Sequence, residues 1–328
     1  YLEKKRERLQ VQGKKDAKLA KRLKNELEWV RSNPKARQAK SKSRLARYEE
    51  MAAEAEQYRK LDFEEIQIPP GPRLGSDVLQ ATNLTKGFGD RVLIDDLSFS
   101  LPPGGIVGVI GPNGAGKTTV FNCLTGFYQP SSGSIRLNGE AIEGLPGHKI
   151  ARKGVVRTFQ NVRLFKDMTA VENLLVAQHR HLNTGYLAGL FKTPAFRRSE
   201  REAMEYAAYW LEQVDLVDFA NRSAGTLAYG QQRRLEIARC MMTRPSILML
   251  DEPAAGLNPR ETEDLKALIG MLRDEHNVTV LLIEHDMKLV MSISDHIYVI
   301  NQGTPLADGT PDDIRNNPDV IKAYLGEA

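Results

Sequence analysis

The run Ile106-Val-Gly-Val-Ile110, followed by Gly111-Pro-Asn-Gly-Ala-Gly-Lys117-Thr118-Thr119, decides the fold. A short apolar run bounded by glycine reads as a buried strand. The turn after it has the spacing Gly-x-x-x-x-Gly-Lys-Thr, which opens a helix. Gly111, Gly114 and Gly116 let the backbone N–H groups of the loop, Asn113 among them, wrap a chain of phosphates. The helix beginning near Lys117 presents the positive end of its dipole to the same anion. Lys117 is expected to neutralise the β- and γ-phosphates, Thr118 to hold Mg²⁺ through its hydroxyl, and Thr119 to complete the cradle.

Working outward, a second acidic feature lies 134 residues beyond Lys117. The apolar run Ile247-Leu-Met-Leu250 ends in Asp251-Glu252. Two acids at the carboxyl end of a buried parallel strand are costly unless a cation or a reaction needs them. Asp251 is expected beside Mg²⁺, and Glu252 as the general base that polarises an attacking water. Loop and acids together read as a P-loop nucleoside triphosphatase. Strands (Val78–Leu84, Val92–Leu101, Ile106–Ile110, Ile247–Leu250, Val278–Ile283, His296–Ile300) alternate with helices. That alternation predicts an α/β fold with a mostly parallel sheet and a small antiparallel β-region. Residues from about 168 to 225 read as a helical insertion without strands.

The 328-residue chain is charged unevenly. Residues 1–60 hold 19 Lys/Arg against 9 Asp/Glu, whereas the remainder holds 27 against 33. Leu19, Leu23 and Leu27 mark one helix face, Asn33-Pro34 breaks it, and Leu45, Tyr48 and Met51 mark another. A basic helical hairpin is predicted over 1–65, a linker around Ile68-Pro-Pro-Gly-Pro72 over 66–76, and an ATPase domain over 77–328. Residues 31–47 carry seven Lys/Arg and no acid, which suits either a phosphate backbone or a solvated helix face. Cys123 and Cys240 lack metal-ligand spacing and read as reduced core thiols of a reducing compartment. No apolar run is long enough to span a bilayer, and no cleavable leader is visible. Tyr1 in place of a starting methionine sets the expectation that the natural start lies upstream.

The remaining motifs resemble those of ABC ATPases, in that family's order. Gln160, after the strand Gly154–Phe159, matches the Q-loop glutamine that senses Mg²⁺ and the γ-phosphate. Leu227-Ala-Tyr-Gly-Gln231, opening the helix Gln232–Cys240, resembles the signature motif. Ala254-Ala-Gly-Leu-Asn258 resembles the D-loop, His285 the switch histidine, and Phe88, in a turn, the aromatic that stacks on adenine. The resemblance implies ATP and Mg²⁺ as cofactors and a head-to-tail pair of ABC domains. Each ATP is then held between one loop and the partner's Tyr229, Gly230 and Gln231. Two motifs depart from the family pattern: the signature is Leu-Ala-Tyr-Gly-Gln rather than Leu-Ser-Gly-Gly-Gln, so that Ala228 lacks the usual hydroxyl, and Asn258 stands where the D-loop usually ends in aspartate.

Within that family, residues from about Thr119 to Ala328 are similar to the ATP-binding subunit of bacterial branched-chain amino-acid importers. The likeness rests on Phe121-Asn-Cys-Leu-Thr-Gly-Phe, Val156-Arg-Thr-Phe-Gln-Asn-Val-Arg-Leu-Phe, Leu227-Ala-Tyr-Gly-Gln-Gln-Arg-Arg-Leu-Glu-Ile-Ala-Arg and Ile283-Glu-His-Asp-Met-Lys-Leu-Val-Met. It implies a place on the cytoplasmic face of a membrane, with permease subunits contacted near Arg163–Val171. Residues 1 to about 118 instead resemble the interdomain linker and second ATPase domain of ABC-F translation factors. Arg31-Ser-Asn-Pro-Lys-Ala-Arg-Gln-Ala-Lys-Ser-Lys-Ser-Arg-Leu-Ala-Arg47 carries that likeness and implies contact with tRNA or the ribosome. The two likenesses meet inside Gly111–Thr119, so the chain reads as a mosaic, by natural fusion or by joining at a shared stretch.

Overall fold

The computed structural model describes residues 78–178 and 194–325. The chain divides between Pro69 and Pro70, and every described residue lies in the second unit, Pro70–Ala328. The hairpin expected over 1–65, the linker over 66–76 and the basic stretch 31–47 lie outside the described residues.

Two sheets organise the unit. β1 (Leu79–Phe88) and β2 (Arg91–Leu101) form an antiparallel hairpin, and β4 (Ser132–Leu137) and β5 (Glu140–Ala141) extend it in the order β2-β1-β4-β5. Between the two pairs come β3 (Ile106–Ile110) and α1 (Lys117–Leu124). The chain then runs through α2 (Gly147–Arg152), β6 (Val155–Arg157), α3 (Ala170–Gln178), α4 (Pro194–Gln213) and α5 (Tyr229–Met241). It closes with β7 (Ile247–Asp251), α6 (Pro259–Asp274), β8 (Thr279–Ile283), α7 (Met287–Ile293), β9 (His296–Asn301), β10 (Thr304–Gly309), α8 (Pro311–Arg315) and α9 (Pro318–Leu325). The second sheet has the order β10-β9-β3-β8-β7-β6, parallel except for the β10–β9 pair.

β3, β7 and β8 are buried at every position, as strands covered on both faces must be. Their register fixes the chemistry. Val109, one residue before the end of β3, pairs with Ile283, and Ile283 with Asp251, so one row of residues crosses the carboxyl ends of three strands. The segments that follow, Gly111 onward, Glu252 and Glu284-His285, leave from the same edge, where α/β sheets bind ligands. Beneath them Leu79, Leu97, Val109, Phe121, Leu124, Leu281 and Ile283 share one core joining both sheets. Each such side chain contributes about 1.5–3 kcal/mol by leaving water.

The expected parallel core and antiparallel β-region are both present. Between 168 and 225 the described residues form α3, α4 and short turns, with one isolated bridge, Thr169 to Ser223. Two local readings change. Phe88 closes β1 rather than sitting in the turn, because the β1–β2 ladder continues to the Phe88–Arg91 pair. α5 begins at Tyr229 rather than Gln232, so Tyr229, Gly230 and Gln231 form its first turn, with Ala228 as its cap.

Cys123 on α1 and Cys240 on α5 are buried and unpaired. Burial pushes their thiols up to about 11 and about 12. A thiol-exchange reagent at about pH 8 should therefore leave the native protein unmodified and label both cysteines after denaturation, since only the thiolate reacts. Fast labelling of the native protein would contradict this placement.

Candidate functional site

Gly116 forms the N-cap of α1 at φ 97°, and a Cβ there would stand 2.5 Å from the Leu93 carbonyl oxygen. Gly114 has φ 83°. A Cβ on Gly111 would collide with the Ile300 carbonyl. Glycine is thus required at each point where the loop winds or touches its neighbours. The loop closes on Lys117, whose Nζ donates to the carbonyls of Gly111 at 2.7 Å and Pro112 at 3.0 Å. Burial pulls the Lys117 ammonium down from its ordinary value, while Glu252 and Asp251 push it back up. Thr118, at the start of the helix, is exposed, as are Asn113 and Gly114.

The acids stand opposite. Asp251 ends β7 almost fully buried, and its Oδ2 accepts from Arg157 Nη2 at 2.5 Å. Arg157 also donates to Asn122 Oδ1 at 2.7 Å, and its guanidinium lies 5.3 Å from the ring centres of both Phe121 and Phe159. Glu252 follows at φ 46°, a left-handed conformation held by its N–H on the Ile283 carbonyl at 2.8 Å. Gln160 Nε2 donates to Glu252 Oε2 at 2.9 Å, and His285 Nδ1 stands 4.0 Å from the same oxygen. Glu284 beneath is buried, and burial raises its carboxyl above the ordinary range, opposed by the Ala254 and His285 N–H groups that it accepts.

The structure therefore gathers Lys117, Asp251, Glu252, Gln160 and His285 at one sheet edge. Phe88 lies half-exposed on the antiparallel sheet, edge-on to Tyr128 with ring centres 5.1 Å apart and Lys86 Nζ 4.4 Å above its ring. The signature residues keep other company. Ala228 caps α5 without a side-chain acceptor, and the first-turn N–H groups of Tyr229 and Gly230 belong to the set that a helix start leaves without an intrahelical partner, Tyr229 being exposed and Gly230 buried against Glu261 of α6. Gln231 Oε1 accepts from the Ala228 N–H at 3.0 Å. Asn258, read from the sequence only as a lost charge, caps α6 by accepting from the Arg260 and Glu261 N–H groups at 3.0 Å each.

Sequence reasoning missed four residues. Tyr128 pairs with Phe88, Arg157 pins Asp251, and the buried Arg233–Glu236 pair on α5 holds the backbone around Gln160. Arg157, Arg233 and Glu236 lie inside stretches quoted for the family resemblance, yet nothing in those stretches marks the partners of Arg157 and Arg233, which are distant in sequence.

A family model described as ABC transporter matches residues 94–255. The chain is 80% identical over 251 residues to the high-affinity branched-chain amino acid transport ATP-binding protein BraF of Pseudomonas aeruginosa, covering 76% of this chain and 98% of that protein. The chain belongs to the ABC transporter family. A second model, branched-chain amino acid ATP-binding cassette transporter, matches residues 304–328 of this ABC protein. The corresponding LivG protein of Escherichia coli is 64% identical over 255 residues, its whole length, covering 78% of this chain. Among solved structures, an ATP-binding cassette of an ABC transporter in its ADP conformation superposes with a TM-score of 0.67 at 33% identity, over 76% of this chain and 99% of that one.

The other likeness is present too. The energy-dependent translational throttle protein EttA of Mycobacterium tuberculosis is 44% identical over 298 residues, 90% of this chain but 48% of that protein. Both halves of the mosaic reading thus have their relatives. The BraF match, at 251 residues, is longer than the stretch from Thr119 to Ala328, so the importer likeness extends upstream of Thr119 and overlaps the throttle likeness.

Replacing Arg157 by leucine would leave the Asp251 carboxylate buried without its cation. Such a loss costs about 3–5 kcal/mol, readable as a lower denaturant midpoint at unchanged slope. An unchanged midpoint would show that the pair carries no stability.

Proposed function

We propose that this ABC protein is the ATP-hydrolysing subunit that energises import of branched-chain amino acids, working on the inner face of a membrane. One observation carries the reading: the Gln160–Glu252 pair at the end of β7, on the edge shared with the loop of Lys117. The importer relatives name the transported class.

Phe88, with Tyr128 beside it, offers an aromatic face for adenine. The N–H groups of the Gly111–Thr119 loop, Asn113 included, receive the phosphates, and Lys117 meets the β- and γ-oxygens. Binding would draw the Lys117 ammonium away from the Gly111 and Pro112 carbonyls. A multiply charged anion also favours the charged form that burial disfavours. The donors near the loop are hard oxygens: the exposed Thr118 hydroxyl, the Asp251 carboxylate whose Oδ2 is engaged by Arg157, and the Gln160 amide. Among the described residues no group of three or more His, Cys, Asp or Glu is arranged to hold a metal. Few protein oxygens plus phosphate oxygens and waters suit Mg²⁺, which resists full dehydration. Thr118, Asp251 and Gln160 would hold Mg²⁺ there, and the ion would supply neutralisation of phosphate charge.

Glu252 takes the proton of an attacking water, the water oxygen bonds to the γ-phosphorus, and the bond to ADP breaks with its electrons leaving on ADP. Gln160 fixes the Glu252 carboxylate, and His285 touches the γ-phosphate. The first-turn N–H groups of Tyr229 and Gly230, with Gln231, would serve the nucleotide of a second ABC domain placed head to tail. Permease subunits would meet the segment near Arg163–Val171, where Phe165 is half-exposed and Val176 lies exposed on α3 nearby. No helix among the described residues is long and apolar enough to cross a membrane.

A second reading has one observation behind it. The throttle-protein match covers 90% of the chain, more than the importer match does, and so takes in residues upstream of β1. It makes residues 31–47 a tRNA or ribosome contact. Co-sedimentation separates the two readings. Recovery with permease subunits supports import, and a ribosome pellet that dissolves as salt rises supports the alternative.

Glu252→Gln should cut turnover by about two orders of magnitude or more, within the range given by loss of a positioned base, with ATP affinity kept. Turnover at the parent rate would overturn the assignment of the base.

A further inference from the structure

The first turn of α5 does more than face outward. At the position where the family pattern has glycine, this chain carries Tyr229, whose ring lies against the D-loop: a Cβ on Gly256 would stand 3.4 Å from Tyr229 Cε1. Its phenol oxygen accepts from Arg233 Nη2 at 3.1 Å. Arg233 is wholly buried, and the same Nη2 donates to the Gln160 carbonyl at 2.6 Å. Its Nη1 donates to the Phe159 carbonyl at 2.7 Å and to Glu236 Oε2 at 2.9 Å. Glu236 in turn accepts the Arg163 N–H at 3.0 Å. The backbone on both sides of Gln160 is therefore gripped by α5, and the Gln160 side chain holds Glu252.

This makes an unbroken chain of hydrogen bonds from an exposed ring to the carboxylate beside the phosphate loop. A buried guanidinium whose two terminal nitrogens are both engaged does not yield gradually, because losing one partner strands a charge in the core. Displacement of Tyr229 therefore moves the Gln160 backbone rather than dissipating locally.

We propose that Tyr229 and Arg233 are positioning residues that connect the signature face of α5 to Glu252 of the same chain through Gln160. What sits on that face then sets how well the chain's own base is aimed. The proposal rests on the ATPase reading above. It makes Tyr229 a distinct coupling element, in addition to the helix-start donors offered to a partner's nucleotide. Its ring lies against the D-loop and its phenol oxygen reaches the Q-loop backbone through Arg233, which a glycine there could not do.

Arg233 variants leave Glu236 buried without its cation, so the test sits on Tyr229→Phe, which removes one exposed oxygen and keeps the ring. Steady-state ATP hydrolysis by the full chain, its KM for ATP and its thermal midpoint are measured for the parent, Tyr229→Phe, Gln160→Ala and the double variant. We expect kcat to fall about fivefold in Tyr229→Phe, the loss of roughly one hydrogen bond in the transition state. KM and thermal midpoint should stay at parent values. In the Gln160→Ala background the phenylalanine should cost nothing further, because coupled residues are not additive. An unchanged kcat, a loss that appears only in KM, or an equal further loss in the double variant would overturn the relay. A parent chain that does not hydrolyse ATP sinks the ATPase reading itself, a result distinct from any of these.

Discussion

A lysine ammonium held out of water, with only backbone carbonyls as direct partners, sets the terms for the rest of the molecule. Lys117 is buried at the start of α1, donates to Gly111 and Pro112, and is supported at longer range by Glu252 and Asp251. Everything nearby serves to make that placement possible. Three glycines let the loop wind, β3 delivers it to the sheet edge, and the register of β8 and β7 brings the opposing carboxylates to the same row. A cation so placed is better satisfied by a polyanion than by the peptide oxygens it holds now.

The acids around it are sorted by what answers them. Asp251 has the Arg157 guanidinium, Glu236 has Arg233, and Glu284 has backbone N–H groups at Ala254 and His285. Glu252 has only the neutral Gln160 amide in contact and the exposed His285 beyond it. The carboxylate with the least fixed partner is the one proposed as the base. That difference separates Glu252 from its neighbours more sharply than its position in the motif does.

Much of this was legible in the sequence because it is local. The Gly111–Thr119 loop, the strand ending in Asp251-Glu252 and the order of Gln160, the signature and His285 are each contiguous patterns. The capping box at Asn258 and Glu261, with Pro259 between, was equally local and could have been drawn from helix-start rules. Arg157 and Arg233 could not. Each bonds to residues more than seventy positions away, and a lone arginine within a strand or helix carries no sign of its partner. Tyr229 read as a departure from a motif, and only the fold shows that its phenol meets Arg233. One helix start moved for a related reason: the helix expected from Gln232 begins at Tyr229, and Gly230, where a Cβ would collide with Glu261 of α6, is a packing glycine inside α5.

The account stands on a polyphosphate meeting Lys117. Equilibrium dialysis of the purified full chain against radiolabelled ATP, with and without Mg²⁺, measures that contact without relying on turnover or on any partner protein. The account predicts saturable uptake approaching one nucleotide per chain, abolished by Lys117→Ala in a protein that still melts cooperatively. Uptake that never saturates, or that survives Lys117→Ala undiminished, would contradict it.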